Sequence, residues 1–124
     1  MGCLRRMSNE EKGVISALLQ LKPESIHFID GIDNLLVQEM TDGGMGSLLL
    51  IPKGAETSNR SLGKQIVAGE FRDSDGVPVF VTINTDADNR LYELDIWKVD
   101  FSPLSHWPDP AAMRNKGDGS NLFC

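Results

Sequence analysis

The stretch Leu91-Tyr92-Glu93-Leu94-Asp95-Ile96-Trp97-Lys98-Val99-Asp100-Phe101 decides how this chain folds. Apolar and polar residues alternate through its first half, which is the period of a strand with one face in a core and the other in water. Tyr92, Leu94 and Ile96 therefore point one way, and Glu93, Asp95, Trp97, Val99 and Phe101 the other. The first set suits a covered face and the second an open one, so residues 91–101 are expected to form a central strand.

Upstream, the same reading recurs in shorter units. Asp86-Ala87-Asp88-Asn89 forms a turn leading into this strand, and Asp73-Ser74-Asp75-Gly76 joins strands expected at 63–72 and 77–85. Pro78 has no amide hydrogen, which confines it to a strand start, an edge or a bulge. Asp42-Gly43-Gly44-Met45-Gly46 turns a strand at 35–41 into another at 47–51. Ahead of these, Ser8-Asn9-Glu10-Glu11 is a capping box that starts a helix. Val14, Ile15, Leu18, Leu19 and Leu21 give that helix one apolar stripe, and Pro23 stops it. Residues 24–30 fit a short helix or a strand equally well. The expected fold is α+β, an N-terminal helix packed on a twisted antiparallel sheet of about five strands. All 124 residues form a single domain, with an ordered core over about 4–108 and a flexible tail over 109–124.

Twelve Lys and Arg against 18 Asp and Glu leave a net charge of −6. That field repels a polyphosphate backbone and suits a basic protein surface, so neither nucleic acid nor membrane is expected as a partner. No apolar run approaches the roughly 18 residues of a membrane-spanning helix. Cys3 and Cys124 lie far apart in weakly tied segments and match no lipidation pattern, so both are incidental and a cytoplasmic protein is expected.

No catalytic set, metal site or cofactor is expected. His27 and His106 stand alone, without a second ligand at metal spacing, and the Asp-rich turns lack the length and terminal Glu of a calcium loop. Glu93 and Asp95 lie about 7 Å apart on one strand face, the spacing of a carboxylate pair for acid and base work, although solvated acids on an open sheet face explain them as well. Trp97 beside them favours binding, unless Phe101, Trp107 and the tail cover it as a second small core. The expected partner-binding set is Glu93, Asp95 and Trp97 at the centre, with Glu70, Asp73 and Asp75 at the rim.

The block from Glu93 to Leu104, the segment Glu39-Met40-Thr41-Asp42-Gly43-Gly44-Met45-Gly46-Ser47 and the Gly76-Val77-Pro78-Val79 turn resemble a family of small bacterial proteins of unassigned function. The resemblance runs over roughly residues 4 to 108 and brings no catalytic residues with it. In size, acidity and organisation the chain also resembles, more weakly, the immunity proteins of contact-dependent growth inhibition. That likeness implies a toxin-neutralising protein whose acidic surface occludes a basic toxin domain. A small carboxylate-dependent enzyme using Glu93 and Asp95, or a non-catalytic adaptor, are the alternatives.

Overall fold

A computed structural model describes residues 4–41, 44–56 and 59–115. Cys3, Cys124, the turn residues Asp42 and Gly43 and the expected tail beyond residue 115 lie outside the described residues. Among the described residues, seven strands form one antiparallel sheet: β1 (Arg5–Arg6), β2 (Leu36–Glu39), β3 (Leu48–Ile51), β4 (Leu62–Arg72), β5 (Pro78–Asp86), β6 (Leu91–Lys98) and β7 (Arg114–Asn115). Their spatial order is β1-β2-β3-β6-β5-β4-β7, which puts β6 in the middle. The fold is α+β, with more strands than the five expected, because two-residue pieces add to β2 at one edge and to β4 at the other.

Helix α1 (Asn9–Gln20) begins at the expected capping box, where Glu11 N–H donates to Ser8 Oγ (3.1 Å) and Ser8 N–H donates back to Glu11 Oε1 (2.9 Å). Val14, Ile15, Leu18 and Leu19 are buried in one cluster with Val37, Leu48, Leu50, Val67, Val81, Ile83, Leu94 and Ile96. Pro23 does not end α1 directly. The helix is capped at Leu21, and Pro23 opens a run of 310 turns over Pro23–Asn34, which resolves the ambiguous segment as helical. Proline suits that first position, since its missing N–H would have no partner there.

Alternation along β6 holds from Glu93 to Trp97, with Leu94 and Ile96 buried and Asp95 and Trp97 exposed, but Tyr92 does not take the inward place expected for it. The β5–β6 register shifts between Asn84 and Thr85, Leu91 enters the core instead, and Tyr92 is half-buried with the Arg60 guanidinium 5.0 Å over its ring. The strand is shorter than expected, however. It ends at Lys98, and Phe101 takes a φ of +62°, so Val99 and Phe101 do not continue its face. The β4–β5 hairpin closes where expected, with Gly76 at φ +81° and its N–H on the Asp73 carbonyl (2.8 Å). Pro78 opens β5, where no ladder donor is required.

Residues 109–115 depart most from expectation. Asp109 caps a 310 turn, Pro110–Ala112, and β7 then pairs with Gly69 and Glu70 of β4, so this segment is docked and not a free tail. Two glycines receive it. A Cβ on Gly13, inside α1, would lie 2.9 Å from Pro110 Cγ, and one on Gly69 would lie 2.7 Å from Leu18 Cδ2 and 3.0 Å from Met113 Sδ. Among the described residues no helix is long and apolar enough to cross a membrane.

Two substitutions test this packing. Leu94→Ala removes a fully buried side chain from the central strand and should cost about 2–5 kcal/mol in urea unfolding. Gly69→Ala should cost about 1–3 kcal/mol by forcing α1 and Met113 off the sheet, and deleting residues 109–124 should relieve only the part due to Met113 and Arg114, leaving the closer Leu18 clash.

Candidate functional site

The sheet face away from α1 carries most of the residues singled out by sequence. Because directly paired residues share a face, the register places Glu70, Phe80 and Trp97 in one row across β4, β5 and β6. Ala68, Thr82 and Asp95 form the next row, and Asn84, Glu93 and Leu49 the one beyond. Trp97 is 44% exposed, with its ring tilted against Phe80 (5.7 Å between centroids) and Phe101 (6.2 Å). Glu93 is half-buried and accepts a hydrogen bond from Asn84 Nδ2 at 2.8 Å, while Asp95 is exposed. Glu70 is half-buried in the Trp97 row.

The alternative of a second small core around Trp97 is not met by Trp107. Trp107 lies across the sheet on the helix side, where a Cβ on Gly46 would touch both its ring and Ile96 at 3.3 Å. Trp97 is left as an exposed aromatic beside carboxylates, a composition that favours a partner bringing cations and apolar surface.

Asp73 does not occupy the rim expected for it. Its side chain is fully buried, and Lys98 Nζ donates to it at 2.8 Å. The same ammonium donates to Asp75 (2.7 Å) and to the Pro103 carbonyl (3.2 Å), so all three of its hydrogens are used. Asp73 also accepts from the Ser74 and Ser105 amides (both 2.7 Å), and His106 Nδ1 stands 3.1 Å away. Asp75 remains partly exposed while bonded to Lys98. Burial pushes the Asp73 carboxyl up, but the Lys98 ammonium and the two amides outweigh it and hold the group well below the ordinary carboxylate range. Lys98 is raised by the hydrogen bonds to Asp73 and then Asp75.

The signal for this cluster was in the sequence. Lys98 follows Leu94 and Ile96 at the same two-residue interval, so alternation turns it inward, and an inward lysine demands acidic partners.

Two further buried carboxylates, Asp86 and Glu11, are also paired. Arg60 Nε donates to Asp86 (2.9 Å) while its other nitrogens donate to the carbonyls of Leu50 (2.7 Å) and Leu91 (2.5 Å). Arg5 makes a two-pronged bond to Glu11 (2.8 and 2.7 Å) and reaches Glu39 at 3.2 Å, along one wall of a cavity of about 460 Å³ that Ser47 and Trp107 also line. Neither Glu93 nor Asp95 lines that cavity, although its lining residue Ser47 donates from Oγ to Asp95 Oδ1 at 3.4 Å. Ser47 Oγ accepts from the Ile96 amide (2.9 Å), which extends the β3–β6 pairing by a side chain. Among the described residues there is no group of three His, Cys, Asp or Glu side chains able to hold a metal ion.

Removing the Asp73 charge leaves Lys98 short of a partner, so Asp73→Asn should cost about 3 kcal/mol or more in denaturant unfolding. The pH dependence follows from the depressed carboxyl. The unfolded chain binds this proton more readily than the folded one, so acid favours unfolding. Asp73 should thus contribute its full stabilisation above pH about 4 and lose it progressively below. Asp73→Asn should flatten the fall in unfolding free energy between about pH 4 and 2.

No curated protein and no solved structure matches the chain. A family model described as a domain of unknown function (DUF6984) matches residues 4–108, from the start of the strand preceding α1 to just beyond the segment that Lys98 holds. The chain belongs to the DUF6984 family.

Proposed function

We propose that this domain is a toxin-neutralising immunity protein of the kind used in contact-dependent growth inhibition, acting in the cytoplasm by covering a basic toxin domain with the outer face of its sheet. The observation that carries this reading is the exposed Trp97, its ring tilted against Phe80 and Phe101 and accompanied by Asp95, Glu93 and Glu70. A soluble domain keeps large aromatic surface in water at a cost in solubility, and such surface beside charges of one sign is typical of a docking site. The net charge of −6 adds long-range attraction for a basic partner. Binding would be by contact and occlusion, with the central aromatics desolvated and the carboxylates meeting cations at the margin.

The gene adjacent to this one supplies the test. If it encodes a basic toxin domain, producing that domain alone should stop growth, and co-producing this chain should restore it through a stoichiometric complex. A neighbouring product that neither arrests growth nor binds would overturn the reading. Within the complex, Trp97→Ala should accelerate dissociation by about 30-fold, equivalent to about 2 kcal/mol, without unfolding the domain. Glu70→Gln should mainly slow association at low salt, and about 0.5 M salt should erase the difference.

A further inference from the structure

Phe101 is held in a backbone conformation that its side chain disfavours. Its φ of +62° lies in the left-handed region, where a Cβ crowds the following carbonyl. Asn59 and Asn89 adopt the same φ, but asparagine tolerates it and a bulky aromatic does not. The turn is fixed from several sides. Phe101 N–H donates to the Lys98 carbonyl (2.8 Å), Ser102 donates to Asp100 Oδ1 through its amide (3.0 Å) and hydroxyl (2.6 Å), and the Lys98 ammonium holds the Pro103 carbonyl.

Burial does not offset this strain, because Phe101 is 68% exposed and its ring touches Trp97 alone among the ring contacts of the described residues, at 6.2 Å and 46°. The hydrogen bonds that hold the turn use its backbone and neighbours and none needs a bulky side chain at position 101, so an exposed phenylalanine kept there points to a use outside the chain. The two rings form a shallow aromatic shelf, with exposed Asp100 next to Phe101, exposed Asp95 two residues before Trp97, and Glu70 farther along the Trp97 row. A guanidinium fits that composition better than an ammonium. Its flat face stacks on aromatic rings, while its edge donates paired hydrogen bonds to a carboxylate.

We propose that Trp97 and Phe101 form a platform for an arginine side chain of the partner, and that Phe101 is kept in its left-handed conformation to complete that platform. This inference rests on the outer face being the partner-binding face. It adds the residue that the partner delivers and identifies Phe101 as a contact residue carrying a cost in stability.

Two measurements on the full chain test it. In thermal unfolding, Phe101→Gly should melt about 4 °C above Phe101→Ala and no lower than the parent, since only glycine relieves the strain. In the second, the Trp97 indole signal is followed by NMR during titration with the pentapeptides Gly-Arg-Gly-Arg-Gly, Gly-Lys-Gly-Lys-Gly and the citrulline equivalent. The arginine peptide should act at about fivefold lower concentration than the lysine peptide, citrulline should have no effect, and Phe101→Gly should weaken the arginine response by about fivefold. Equal responses to arginine and lysine, an unaltered response in Phe101→Gly, or equal melting of the glycine and alanine variants would each overturn the platform. If that happens while Trp97→Ala still disrupts the toxin complex, the outer face stands and only the arginine platform falls. If Trp97→Ala leaves the complex intact, both readings fall together.

Discussion

Everything at one end of this sheet depends on a single ammonium group placed where water cannot reach it. Lys98 terminates the central strand on its inward side, and a lysine there is tolerable only if each hydrogen finds an acceptor. The β4–β5 turn supplies Asp73 and Asp75, and the chain after β6 supplies the Pro103 carbonyl. One side chain thereby fixes a hairpin tip and an irregular segment at the same time. Such a pair contributes more to defining one arrangement than to net stability, because desolvation of both charges cancels much of their attraction.

The two faces of the sheet divide the labour. The helix side carries the packed aliphatic cluster and closes around Met113 and Trp107. The opposite side keeps Trp97 and the carboxylates of β6 in or near solvent. The Lys98 cluster connects them, since the segment it anchors also sets the position of Phe101 beside Trp97. Arg60 plays a comparable part at the other end of β5 and β6, where it joins Asp86 to the carbonyls of Leu50 and Leu91.

What the sequence made legible follows from how local each signal is. The capping box at Ser8, the glycine turn at Gly76 and the alternation along β6 each depend on neighbours a few residues away; the first two survive in the fold, and the third holds from Glu93 to Trp97 but fails at Tyr92, where a register shift against β5 intervenes. Trp97 on an open face follows from the same alternation. Asp73 departs from expectation because an acidic residue in a turn is ordinarily solvated, and its partner Lys98 lies 25 positions away on β6. The docking of residues 109–115 left no periodic trace, because it is achieved by two glycines that make room and by a strand of two residues. The left-handed Phe101 was equally invisible, since nothing in its composition announces a conformation that other contacts impose.

The contact between Gly13 and Pro110 also bears on when the domain becomes complete. Glycine inside a helix weakens it by about 1 kcal/mol relative to alanine, so α1 gains little from its own propensity and relies on what packs over it. Part of that cover comes from almost one hundred residues later in the chain. During synthesis the helix emerges first and waits for nearly the whole domain before its last neighbour arrives. Contacts of such long sequence separation slow folding, and until they form, the apolar stripe of α1 is incompletely covered and open to capture by chaperones or by other nascent chains.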